Sequence, residues 1–212
     1  MYFRTQTSSL IVQNNYLNQE EADTLYQSII TDKDSLYPLE VYPKGFAYGK
    51  EITFHRSIGF FSDTSKGYKF SKQTTKSHPL TTELKHLINK INQEFETSFN
   101  GVLINIYRSG CDYISAHSDD EKELDKSKHV IAISLGSSRC FRIRTKQHDT
   151  EIDTSLLSNK KCKTPVFDIQ TEHGQLIAMC GNFQSEFTHE IPIEKTKPNT
   201  PRISLTFRCH SH

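Results

Sequence analysis

Arg202-Ile203-Ser204-Leu205-Thr206-Phe207-Arg208 alternates polar and apolar residues over its whole length. In an extended strand, residues two apart point to one side. Arg202, Ser204, Thr206 and Arg208 are therefore expected on one face, with Ile203, Leu205 and Phe207 on the other. Such a strand turns its apolar side to packing and holds two guanidiniums on its polar side. Two cations on one wall call for an anion. The plainer alternative is an edge strand whose arginines reach solvent.

The same period of two extends upstream. After Asn100-Gly101, Val102, Ile104 and Ile106 alternate with Leu103, Asn105 and Tyr107, so Asn105 and Tyr107 share a face. Further strands are expected at 129–135, 140–144 and 175–180, separated by Gly, Ser and Asn. The polar stretch 145–172 reads as a long surface loop or hairpin. Earlier in the chain the period is helical. Asn18 followed by Glu21 forms a capping-box pattern ahead of Ala22, Leu25 and Ile29, which predicts a helix over about 18–30. Leu80, Leu84, Leu87, Ile88, Ile91 and Phe95 mark a second amphipathic helix, with Thr81 or Thr82 near its start. Helices first and strands after predict an α+β, mainly β chain: a sheet sandwich or jelly roll buttressed by N-terminal helices.

At 212 residues the chain fits one domain with a sizeable core. A formal charge of +1 excludes a globally basic nucleic-acid coat, so phosphate contacts would need a local patch. Lys44, Lys50, Arg56, Lys66, Lys69, Lys72 and Lys76 provide one, interleaved with Phe46, Tyr48, Phe54, Phe60, Phe61, Tyr68 and Phe70. The five cysteines are scattered and never form Cys-x-x-Cys, which fits reduced thiols inside a cell. No segment has the length and apolarity of a signal peptide or membrane span, so a soluble intracellular protein without membrane contact is expected.

His117-Ser118-Asp119 offers an imidazole and a carboxylate from alternate positions, a short pattern that chance supplies readily. A third ligand must come from elsewhere. His189 and His173 are the candidates, and an isolated histidine of either kind is as often a hydrogen-bonded structural residue. Two His and one carboxylate would leave open positions on an octahedral ion, as suits non-haem Fe(II) binding a chelating cosubstrate and O2. Asn105, Tyr107, Arg202 and Arg208 together bring an amide, a phenol and two guanidiniums, a set that fits a dicarboxylate.

The run from Asn105 through Tyr107 to His117-Ser-Asp119-Asp120-Glu121, then His189, then Arg202 to Arg208, closely resembles the AlkB family of Fe(II)- and 2-oxoglutarate-dependent dioxygenases. It looks most like the eukaryotic DNA-repair branch, with weaker similarity from about residue 9 to residue 209. The resemblance implies a double-stranded β-helix (jelly roll) in one catalytic domain over 1–212. Residues 1–78 would form the N-terminal helix and a nucleotide-recognition lid, and 79–212 a helix and the jelly-roll core. It implies that His117, Asp119 and His189 hold the iron and that Asn105, Tyr107, Arg202, Ser204 and Arg208 contact 2-oxoglutarate. Asp120 and Glu121 match positions beside the substrate base, Arg56 a phosphate or base contact, and Tyr68-Lys-Phe70-Ser a base-stacking segment. Tyr48-Gly49-Lys50 resembles a Phe-Gly-Lys wedge that fills the gap left by a flipped base. Two positions depart from the pattern. Ser204 stands where many relatives carry Asn beside 2-oxoglutarate, and Tyr48 stands where the wedge has Phe.

The implied activity is oxidative dealkylation of 1-methyladenine- or 3-methylcytosine-type lesions in single- or double-stranded DNA or in RNA, by a monomer, with release of formaldehyde. Two alternatives are a 2-oxoglutarate oxygenase of RNA or a protein side chain, and a non-enzymatic reader of methylated bases.

Overall fold

The computed structural model describes residues 3–33, 36–47, 49–70, 73–125, 129–146, 166–197 and 199–210. In chain order the elements are β1 (Phe3–Arg4), β2 (Ser8–Gln13), α1 (Gln19–Thr31), β3 (Lys44–Ala47), β4 (Lys50–Thr53), β5 (Ser57–Phe61), β6 (Gly67–Phe70) and β7 (Gln73–His78). There follow α2 (Thr82–Glu94), β8 (Gly101–Tyr107), β9 (Ile114–His117), β10 (Val130–Gly136), β11 (Cys140–Thr145) and β12 (Val166–Gln170). The last are β13 (Gln175–Gly181), α3 (Phe183–Glu186), β14 (Phe187–Ile191) and β15 (Arg202–Arg208).

Both long helices begin where side chains can take up orphan backbone donors. Asn18 accepts from the Glu21 N–H at 3.0 Å while Glu21 accepts from the Asn18 N–H at 2.9 Å, the reciprocal pair expected from the sequence. Thr81 caps α2 through the Leu84 N–H. The buried faces of the two helices, Ala22, Leu25 and Ile29 on one and Leu84, Leu87, Ile88 and Ile91 on the other, pack with one side of a nine-stranded sheet. Its strand order is β1-β2-β13-β10-β15-β8-β5-β7-β6. A four-stranded sheet, β12-β11-β14-β9, lies against the other side, with Phe3, Val130, Phe141, Ile143, Ile177 and Phe187 in the shared core. The layers are therefore helices, large sheet and small sheet, a jelly-roll-like arrangement.

β15 is the middle strand of the large sheet, paired antiparallel with β8 over its full length and with β10 from Arg202 to Phe207. All seven of its residues are buried. Ile203, Leu205 and Phe207 enter the helix-side core, each burial worth about 2 kcal/mol of transfer free energy. Arg202, Ser204, Thr206 and Arg208 face the opposite way, so the alternative of a solvent-reaching edge strand does not apply.

Of the two expectations for 145–172, loop or hairpin, the structure has the hairpin, β11 with β12. Val166–Gln170 pairs with β11, burying Phe167 and Ile169 and exposing Val166, Asp168 and Gln170; residues 147–165 lie outside the described residues. The basic aromatic region divides in two. β3 and β4 form a separate hairpin with Gly49 at φ +76° in its turn, whereas β5 belongs to the large sheet next to β8. Tyr48 lies outside the described residues. Among the described residues no helix is long and apolar enough to cross a membrane.

Candidate metal and cosubstrate site

Between the two sheets opens a cavity of about 600 Å³. The small sheet delivers two imidazoles to it, because His117 at the end of β9 is the register partner of His189 on β14. Their ring centroids are 4.3 Å apart. Asp119, two residues beyond β9, turns its carboxylate between them, and its backbone N–H is held by Gln184 Oε1 at 2.9 Å. Asp119 Oδ1 lies 3.8 Å from His117 Nε2, and Oδ2 lies 3.8 Å from His189 Nε2. Those separations are too long for hydrogen bonds and short enough for one ion to bridge. His117 Nδ1 sits 2.9 Å from the Ser115 carbonyl, which assigns its proton to Nδ1 and leaves the Nε2 lone pair directed inward.

The electrostatics suit a cation. Burial lowers the His189 pKa to about 3, helped by His117, so this imidazole is neutral and ready to ligate at neutral pH. Burial would raise the Asp119 carboxyl, but Arg208 and the two imidazoles outweigh it and hold the group well below its ordinary value. Asp119 Oδ2 is buried without a hydrogen-bond partner among the described residues. A buried anionic oxygen with no donor costs several kcal/mol unless a cation meets it. Two neutral nitrogens and one carboxylate fit Fe(II).

His173, the other candidate ligand, belongs elsewhere. It accepts from the Gly136 N–H at 2.8 Å and lies 3.1 Å from Asp23 of α1, a structural link between helix and sheet.

The large sheet contributes the cationic wall. Arg202 donates one Nη to Ser134 Oγ at 2.8 Å, and Arg208 donates one Nη to Asp119 Oδ1 at 2.6 Å. The remaining Nε and Nη1 atoms of both arginines are buried and unpartnered among the described residues. Burial lowers the Arg202 pKa to about 10, whereas Asp119, Tyr68 and Glu121 overcome burial to keep Arg208 firmly charged. Two guanidiniums with spare buried donors, one beside the metal ligands and one farther along the strand, fit a small dicarboxylate such as 2-oxoglutarate. Ser204 pairs in register with Asn105 on β8, and both line the cavity. Tyr107 is buried behind that surface, with the Arg202 guanidinium 5.5 Å from its ring centre.

The cavity lining on the side of β6 is mixed. Tyr68 is buried and donates to Glu121 Oε1, with Arg208 5.2 Å from its ring centre. Glu121 Oε2 is buried and unpartnered among the described residues, and burial raises the Glu121 pKa. Asp120 is exposed at the cavity edge. Arg56 is not at the surface: it is 7 % exposed and donates its Nε to Asn105 Oδ1 at 2.9 Å. The Phe70 backbone is in β6, and its side chain lies outside the described residues.

Sequence reasoning missed several contributors. Ser134, which anchors Arg202, was legible in principle, since the alternation in Ile131-Ala132-Ile133-Ser134-Leu135 puts it on the inward face with Ala132. The stacked pair His55 and Tyr113, 5.0 Å apart at the cavity wall, and the Phe141 ring stacked on His189 depend on strand pairing. Gln184 gave no sequence signal.

Comparison with known proteins agrees with this geometry. The family model described as the 2OG-Fe(II) oxygenase superfamily matches residues 9–208. The human protein named DNA oxidative demethylase ALKBH2 is 29 % identical over 188 residues, covering 89 % of this chain and 68 % of that protein. Human Alpha-ketoglutarate-dependent dioxygenase alkB homolog 3 is 32 % identical over 142 residues, covering 66 % of this chain and 47 % of that one. The solved structure of OsALKBH1 superimposes with a TM-score of 0.58 over 98 % of this chain and 100 % of its own at 17 % identity, a likeness of fold. With the family match spanning nearly the whole chain and its relatives carrying these names, the chain belongs to the 2OG-Fe(II) oxygenase superfamily as an AlkB-type member.

Proposed function

We propose that the protein is an oxidative dealkylase of N-alkylated nucleobases, of the 1-methyladenine or 3-methylcytosine type. The observation that carries this reading is one cavity in which three metal-ligating side chains and two partly unpaired guanidiniums face a buried tyrosine–glutamate pair. The names of its relatives supply the substrate class. His117, Asp119 and His189 would hold Fe(II), and Arg202 and Arg208, with Asn105 and Ser204, would hold 2-oxoglutarate. Bound together, iron and 2-oxoglutarate supply the oxidation: O2 is consumed, succinate and CO2 form, and an N-alkyl C–H bond becomes C–OH. An N-hydroxymethyl group then leaves as formaldehyde and restores the base.

The protein's own residues set the substrate. A base of the 1-methyladenine or 3-methylcytosine type is cationic, and Asp120 and Glu121 offer carboxylate oxygens to its charge and exocyclic amine. Tyr68 holds Glu121 in place, and Phe70 and Tyr48 remain candidates for stacking and for the wedge. Lys44, Lys50 and the exposed Phe46 of the hairpin fit a phosphate-and-base surface outside the cavity. Turnover by a monomer, on single- or double-stranded DNA or on RNA, belongs to the same proposal. The test is formaldehyde release from methylated oligonucleotides supplied with Fe(II), ascorbate and 2-oxoglutarate. Release from single-stranded DNA, duplex DNA or RNA supports the proposal and ranks the substrates, and no release from any of them refutes it.

A further inference from the structure

Arg56 and Asn105 lie 49 residues apart in sequence and meet inside the cavity through a single bond, Arg56 Nε to Asn105 Oδ1. Guanidinium has donors and no acceptor, so the atom it meets must be the amide oxygen. The planar carboxamide therefore turns its Nδ2 away from Arg56. Arg56 makes the one side-chain hydrogen bond of Asn105 among the described residues, and Asn105, 5 % exposed, lines the cavity with its Nδ2 left for a ligand.

Three further observations give this orientation weight. Asn105 is the only carboxamide among the described residues that line the cavity. Its partner across the ladder is Ser204, whose short hydroxyl leaves the wall with no second amide. Arg56 is itself enclosed, its guanidinium carbon 5.3 Å from the Phe54 ring centre, and so is poorly placed for a backbone phosphate in solvent.

We infer that Arg56 is a positioning residue for the cosubstrate: it occupies the Asn105 carbonyl and thereby presents the Asn105 amide N–H groups as fixed donors to a carboxylate oxygen of 2-oxoglutarate. This rests on the oxygenase reading above. Without Arg56 the carboxamide is free to flip and present its oxygen, which would repel the same ligand. The essential element is the bond at the Nε position, and the positive charge is secondary.

Glutamine separates the two, because its Nε2 follows Cδ as Nε does in arginine and can donate to Asn105 with no charge. The experiment measures 2-oxoglutarate binding by calorimetry on folded protein loaded with Mn(II), with no turnover involved. Arg56→Met is expected to weaken 2-oxoglutarate about tenfold, the worth of one hydrogen bond near 1.4 kcal/mol. Arg56→Gln is expected to stay within about threefold of the parent, and Arg56→Met in an Asn105→Ala background should add almost nothing. Mn(II) affinity and binding of a methylated oligonucleotide should hold in both single variants. Equal losses in Met and Gln variants, full additivity with Asn105→Ala, or loss of oligonucleotide binding with unchanged 2-oxoglutarate affinity would each overturn the inference alone. Parent protein that takes up no 2-oxoglutarate would instead overturn the oxygenase reading and this inference with it. Circular dichroism confirms that each variant is folded, and should Met unfold, the Gln variant alone and in the Asn105→Ala background decides by the same coupling.

Discussion

The inner wall of the large sheet and the β3–β4 hairpin use the same materials, cations beside aromatic rings, in opposite surroundings. Arg202 and Arg208 are 2 % and 4 % exposed, and each keeps buried donors unpaired among the described residues. On the hairpin, Lys44 and Glu51 form a 2.9 Å pair whose side chains are 70 % and 54 % exposed. Water and salt screen the hairpin charges, so they can steer a polyanion and contribute little to the fold. The wall charges act in a low dielectric, where an anion that reaches them meets undiminished donors. Affinity for a small dicarboxylate should therefore reside in the sheet, and contact with a long polymer at the hairpin.

The largest expected effect is at the metal ligands. Asp119→Ala removes the carboxylate of the His117–Asp119–His189 group and the partner of Arg208, so formaldehyde release should become undetectable. Metal affinity should fall by more than the roughly 10–100-fold typical of outer-shell changes. Measurable turnover in this variant would break the assignment of the wall to a metal-linked cosubstrate.

Next comes Arg202→Met. In the parent, 2-oxoglutarate at about 100 times its Kd should add about 2.7 kcal/mol of stability. The variant should lose that ligand-dependent rise in Tm while its ligand-free Tm does not fall, since an underpaired buried cation has been replaced by an apolar chain of similar length. A lowered ligand-free Tm with the ligand shift intact would mean that Arg202 is structural, and the contrast with the hairpin would fail.

A smaller effect concerns pH. Burial, with Arg208 adding to it, lowers the His210 pKa from its ordinary 6.5 to about 4. Between those values the unfolded chain binds a proton that the folded chain refuses. This contribution to stability is therefore complete above about pH 6.5 and is lost progressively as pH falls to about 4, at no more than about 1.4 kcal/mol per pH unit. His210→Phe should flatten that part of the stability curve relative to the parent, and parallel curves would show the histidine to be uninvolved.

The smallest effect on the folded protein is expected at the hairpin. Tyr48→Ala should leave Tm and 2-oxoglutarate affinity unchanged and reduce turnover on duplex more than on single strands. Equal losses on both would remove the wedge from the proposal.

Legibility followed the range of the interactions. The caps at Asn18 and Thr81, the apolar stripes of α1 and α2 and the two faces of β15 are set by neighbours a few residues away, and the sequence expectation matched them. β12 was hidden because Val166–Gln170 carries the right alternation inside a long polar context, and its pairing partner β11 supplies the missing stability. The choice between His173 and His189 could not be made from spacing, since both precede or lie in strands. What separates them is that β14 lies beside β9, whereas His173 turns toward α1. The resemblance offered Arg56 as a phosphate or base contact, and its bond to Asn105 was not legible because it required β5 to join β8.

By itself, then, the sequence determined which residues of β15 and β8 share a face, where the helices begin, and that imidazoles, carboxylates and guanidiniums are present in a pattern resembling a known family. These follow from backbone geometry with periods of 2 and 3.6 residues. Tertiary structure alone decided that β15 is central rather than at an edge, that His189 faces His117 across 72 residues of chain, and that Arg56 grips Asn105. Such meetings depend on how two sheets close over one core, and that closure is governed by the sum of distant apolar contacts, which no local pattern contains.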